Sequence, residues 1–120
     1  MKKLKFAANL VDKILSGEKT STWRLFDDKN LLVGDQLEFT NAESGEQFAG
    51  AKIVEIKEKT FAEIEPNDFE THETYSSPEE MLKTYRGYYG DQVDENTQVK
   101  IIKFDLMDPD NKVEYIKWKK

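Results

Sequence analysis

The chain reads as a mainly β, α+β domain: a small, partly open β-barrel of five to six strands with two or three flanking helices. Three observations predict it. Short β-branched or alternating segments are separated by turn residues, two segments carry helical spacing with stop signals, and 120 residues at 38% hydrophobic content suit one domain over 1–120.

Lys2 to Ala8 reads as a short strand, and Asn9 is placed to cap a helix whose apolar positions Leu10, Val11, Ile14 and Leu15 follow i, i+3/i+4 spacing. Gly17 suits the left-handed position that stops it. Lys19 to Phe26 is dense in β-branched and aromatic residues, so a strand follows, ended by a turn at Asp27-Asp28-Lys29-Asn30. Val33-Gly34-Asp35 turns into a strand from Gln36 to Thr40, and Ser44-Gly45 closes a hairpin onto Gln47 to Lys57. Thr60 to Ile64 suggests a helical turn, and Glu65 to Ser76, with Pro66 and Asn67 but no period, an ordered connection. Ser77-Pro78-Glu79-Glu80 is a helix start, with Ser77 as N-cap, Pro78 at N1 and Glu80 completing a capping box. Met81, Leu82, Tyr85 and Tyr89 form its apolar stripe, and Gly90 stops it. Thr97 to Leu106 is the most strongly patterned strand; Met107 to Asn111 reads as a turn and Val113 to Trp118 as a last strand.

The formal net charge of −6 argues against a broad grip on nucleic acid or anionic lipid. That charge is local. Residues 58 to 80 hold eight acids and one base, and the remainder is nearly balanced, so a cationic pocket elsewhere is compatible with the total. The absence of Cys removes disulfides, thiolate metal sites and cysteine nucleophiles, and a single His removes any multi-histidine site. No metal and no cofactor are expected. Met1-Lys2-Lys3-Leu4-Lys5 has no apolar run behind it, so a cytoplasmic location without membrane partners is expected.

The chemistry concentrates in Gly17-Glu18-Lys19-Thr20-Ser21-Thr22-Trp23-Arg24. A glycine helix stop followed at once by a strand sets Lys19 at a corner, and the pleat puts Thr20, Thr22 and Arg24 on one face. Taken alone, these residues are more often a solvated Lys, a run of β-formers and a surface Arg ion pair. The spacing Gly17-x-Lys19-x-x-x-x-Arg24, followed by Val33-Gly34-Asp35 before a strand and by a late helix and closing strand, resembles the signature of the ASCH domain. That is a PUA-like β-barrel family associated with RNA, and the match runs from about Lys5 to Leu106. Within it, the N4-acetylcytidine amidohydrolases are the more similar branch, with the signature G-x-K-T-x-T-x-R.

This resemblance implies a hydrolase acting on a linear amide and converting N4-acetylcytidine to cytidine and acetate. By motif position the branch's Lys corresponds to Lys19 and its Thr to Thr22. Its Glu corresponds to Glu73, six residues before the Glu79 that opens the late helix; Glu70, Glu79 and Glu80 stand close by as alternatives. Burial and the neighbouring Arg24 would lower the Lys19 pKa and leave neutral amine to take a proton from Thr22 or from water. Strict alternation, however, sets Lys19 and Thr22 on opposite faces unless the corner departs from the pleat. Arg24, Thr20, Trp23 and Tyr88 are the candidate substrate contacts, the two aromatics as stacking surfaces. His72, beside Glu73, is more often a hydrogen-bonded structural residue than half of a dyad.

The rival reading is a non-catalytic RNA-binding module in which Lys19 and Arg24 hold phosphate. A binder of long RNA needs a basic stripe, and none is visible, which favours a small nucleoside. An interaction module working through the acidic segment has no specific residue behind it. Oligomeric state is open.

Overall fold

A computed structural model describes residues 2–27, 29–70 and 72–107. Five strands, β1 (Lys2–Phe6), β2 (Ser21–Leu25), β3 (Gln36–Asn41), β4 (Gln47–Thr60) and β5 (Gln98–Met107), form one curled half-barrel sheet in the order β1-β3-β4-β5-β2. β1 runs parallel to β3, and the other pairings are antiparallel. The helices are α1 (Ala8–Ser16) and α2 (Pro78–Tyr89), with 3₁₀ turns at Phe61–Glu63 and Pro66–Phe69. The predicted strand Val113 to Trp118 lies outside the described residues.

Each face of the sheet carries a buried cluster. On one, Leu4, Phe6, Leu37, Phe39, Ala51, Ile53, Ile102 and Phe104 pack beneath Ile14 of α1. On the other, Trp23, Leu25, Val99 and Ile101 pack with Met81 and Tyr85 of α2. β5 serves both clusters, and its consecutive Ile101-Ile102 pair, both side chains buried, marks a strand covered on each side. The paired residues Trp23↔Ile101 and Thr22↔Ile102 therefore point to opposite clusters. A register shift between Ile53 and Glu55 lets the long β4 bend while it stays paired with β5 to Thr60.

Gly17 takes φ 86 at the end of α1, as its place after the apolar stripe predicts. The start of α1 differs from the expectation. Asn9 lies inside the helix, and the cap position is Ala7, which makes no side-chain hydrogen bond. The parallel docking of β1 on β3 and the burial of Ile14 set where the chain turns helical, so tertiary packing overrides the capping preference. In α2, Ser77 Oγ accepts the Glu80 N–H at 3.1 Å, as expected for its N-cap.

The acidic connection is ordered by its own ion cluster. The Asp68 carboxylate is fully buried and meets Lys57 Nζ at 2.6 Å and Lys59 Nζ at 2.9 Å, and it accepts the Glu65 N–H at 2.8 Å. Burial pushes this carboxyl up, but the two lysines and the N–H outweigh that and hold it at about 2. The connection is thereby fixed to β4, and its far end is carried back over the beginning of β2.

Candidate active site

Odd-numbered residues at the start of β2 receive that far end. Ser21 Oγ donates to the Glu70 carbonyl at 3.4 Å, Trp23 stacks on His72 with centroids 4.3 Å apart and planes 14° from parallel, and Lys19 Nζ meets Glu73 Oε2 at 2.6 Å. The alternation that makes a strand thus gives one stripe, Lys19, Ser21 and Trp23, to grip Glu70, His72 and Glu73. Lys19 stands just before β2, its N–H bonded to the Lys13 carbonyl at 3.0 Å, so the helix stop at Gly17 holds the corner from which the lysine reaches Glu73.

Electrostatics at this pair follow from unequal burial. The Lys19 side chain is 4% exposed and that of Glu73 35%. Burial lowers the Lys19 pKa; the Glu73 carboxylate raises it in part, and Arg24 and Lys13 lower it further, leaving it below the ordinary value of 10.5. For Glu73, burial acts upward, while His72 and the Lys19 ammonium bring the carboxyl below its ordinary value. The outcome is a buried cation with a weakened hold on its proton, next to a carboxylate partly exposed to solvent.

His72 is buried beside the pair. Burial, then the Lys19 cation, push its pKa down to about 4, so the imidazole is neutral near pH 7. Its Nδ1 lies 2.9 Å from the Glu73 main-chain carbonyl and 4.0 Å from the carboxylate Oε2. The sequence offered one signal for this residue, its position next to Glu73.

Among the predicted catalytic residues, Lys19 and Glu73 are brought together, and of the alternative acids Glu70 meets the stripe only through its backbone carbonyl. Thr22 is buried on the opposite face with Arg24, as the pleat requires. The predicted substrate contacts divide. Arg24 is a clasp between sheet edges: its Nη2 donates to the Lys5 carbonyl at 2.9 Å and its guanidinium lies 4.8 Å from the Phe6 ring centroid. Two open cavities, of about 430 and 280 Å³, border Arg24. Thr20 adjoins the pair in sequence, and its carbonyl accepts the Phe104 N–H at 3.1 Å. Trp23 is a correction to the stacking surface expected of it: at 3% exposure, packed on His72, Phe69 and Tyr85, it offers no face to a ligand, because α2 and the connection cover this side of β2. Tyr88 is exposed at the end of α2, edge-on to Tyr85. Among the described residues there is no group of three His, Asp or Glu side chains able to hold a metal ion, and no helix long and apolar enough to cross a membrane.

No family model matches the chain, and no curated protein matches it. Solved structures do. The ASCH domain of Lactobacillus crispatus is 18% identical, with a TM-score of 0.66 over 88% of this chain and 78% of that one. The ASCH protein of Zymomonas mobilis is 14% identical, with a TM-score of 0.59 over 88% of this chain and 66% of that one. A hypothetical protein, PH0355, is 26% identical, with a TM-score of 0.68, and the alignment spans 89% of this chain and all of that one. The protein is thus a small PUA-like α+β domain, and its fold is that of the ASCH domains, as the motif around Lys19 implied.

Proposed function

We propose that this domain is an amidohydrolase that removes the acetyl group from a modified pyrimidine nucleoside, N4-acetylcytidine, with Lys19 and Glu73 as the reacting pair. The observation that carries the reading is the 2.6 Å contact between a buried ammonium and a half-exposed carboxylate, an arrangement suited to proton transfer. In its neutral form the Lys19 amine takes a proton from the attacking water. The water oxygen adds to the acetyl carbonyl carbon; the carbon–N4 bond then breaks, and N4 receives a proton relayed through Glu73. Cytidine and acetate leave, and the pair returns to its starting state. Arg24, on the Thr22 face of β2 and bound to the Lys5 carbonyl, acts on this pair only at a distance, as a positive charge that lowers the Lys19 pKa. Water is the preferred attacking group because Thr22 stands on the far side of β2 from Lys19.

A small nucleoside is favoured over long RNA by the formal net charge of −6 and the lack of a basic run in the sequence. Incubating the protein with N4-acetylcytidine and following cytidine release tests the reading. Turnover that disappears in Lys19→Ala is expected. No turnover in the unaltered protein, together with salt-sensitive binding to an RNA oligomer, overturns it in favour of a binding module.

A further inference from the structure

We propose that His72 is a positioning residue, whose imidazole clamps the Glu73 backbone to β2 and so holds the carboxylate against Lys19. The proposal rests on the reading of Lys19 and Glu73 as the reacting pair. It starts from a problem of chain mechanics. Residues 72 to 75 belong to no helix or strand, so no ladder of backbone hydrogen bonds fixes the direction in which Glu73 leaves the chain. Contact at 2.6 Å nonetheless requires the carboxylate to be placed within a fraction of an ångström.

His72 supplies the missing constraint through both parts of its ring. The ring face lies flat on Trp23, which is itself locked in β2 opposite Ile101 and only 3% exposed. The ring edge reaches the main-chain oxygen of the next residue: Nδ1 is 2.9 Å from the Glu73 carbonyl. A carbonyl only accepts, so the proton of this neutral imidazole resides on Nδ1. The His72 N–H in turn donates to the Phe69 carbonyl at 2.9 Å, tying the ring's own backbone to the end of the second 3₁₀ turn. Rigid strand, flat stack, hydrogen bond and carboxylate form an unbroken series. Direct acid–base exchange with the carboxylate is not the role this geometry describes, because Nδ1 is 4.0 Å from Oε2 and its proton is committed to the carbonyl.

The two contacts can be separated by substitution. Phe keeps the flat stack and loses the N–H; Asn puts an amide N–H near the Nδ1 position and gives up the stack. The test uses His72→Phe and His72→Asn in the full chain. Cytidine release gives kcat and KM, and the ¹³C signal of the Glu73 carboxyl, assigned by its loss in Glu73→Gln, gives that group's titration. In His72→Phe, kcat is expected to fall by about tenfold to a hundredfold with KM little changed, and the Glu73 titration to shift. In His72→Asn, where the N–H returns without the stack, both are expected to move back only part of the way toward the unaltered protein. Both variants titrating Glu73 as the unaltered protein does, with kcat unchanged, overturns the proposal. If acetylcytidine is not a substrate at all, the carboxyl titration still decides: a shift in His72→Phe that Asn partly reverses supports the clamp, and no shift overturns it.

Discussion

Lys19 and Glu73 are in contact at 2.6 Å although 54 residues separate them in the chain, and the lysine is buried while the glutamate is open to solvent. This asymmetry decides what each substitution does. In Lys19→Met the methylene stem is kept and the remaining carboxylate is hydrated, so stability is expected to change little. Glu73→Ala strands an ammonium in the interior, at a cost of about 3 kcal/mol or the loss of its proton. Thermal melts at pH 7 are expected to place Glu73→Ala below Lys19→Met, while both lose acetylcytidine hydrolysis by more than about a hundredfold. The reverse order of melting would contradict the burial assigned to the lysine.

Rate should follow the ionisation of Lys19. A base works when neutral, and the Lys19 pKa is lowered, chiefly by burial, so kcat/KM is expected to rise with pH along a limb centred below 10.5. Glu73 acts in the opposite direction, and its removal leaves burial unopposed. A ¹⁵N or ¹³C titration of Lys19 in Glu73→Gln is therefore expected to show a pKa lower than in the unaltered protein. A higher value would mean that the carboxylate does not sense this amine.

The face of β2 on which Thr22 lies predicts how the acetyl group is released. With Thr22 paired to Ile102 and Lys19 on the Trp23 side, no acetyl-enzyme should accumulate. Intact-mass measurement during turnover is expected to find only the unmodified chain, and Thr22→Ala to retain more activity than Lys19→Ala. An acetylated species that vanishes in Thr22→Ala would assign the attack to the threonine.

Acid should weaken the domain through Asp68. Its folded pKa of about 2 lies below the ordinary 3.8, so it contributes stability above pH 4 and loses it as pH falls from there toward 2. The size of the contribution is about 2 kcal/mol. Urea midpoints at pH 5 and pH 3 are expected to fall less in Asp68→Asn than in the unaltered protein, and equal falls would remove Asp68 as the group responsible.

Much of this was legible in local pattern. Gly17 ended α1 as a left-handed residue because only its φ was required; Ser77 capped α2; the alternation in Gln36 to Thr40 and the turn at Ser44-Gly45 produced the hairpin of β3 and β4. Lys19 was selected by its place in a motif, and the pleat already implied that Thr22 would face away from it. Periodicity reports which residues share a face of one element, and to that extent the site could be read one strand at a time.

The amino-acid sequence by itself determined the strands and helices, the corner at Lys19 and the concentration of acids between residues 58 and 80. The tertiary structure alone decided which acid meets the lysine, because Glu65 to Ser76 has no period, and its path depends on the Asp68 cluster with Lys57 and Lys59 and on the stack of His72 against Trp23. It also turned Trp23 from a ligand surface into core and Arg24 into a clasp between β1 and β2, since the covering of a strand depends on elements far along the chain. Local sequence sets which way a side chain points along its own strand; what it meets there is settled by contacts between distant segments, whose free energy no local pattern encodes.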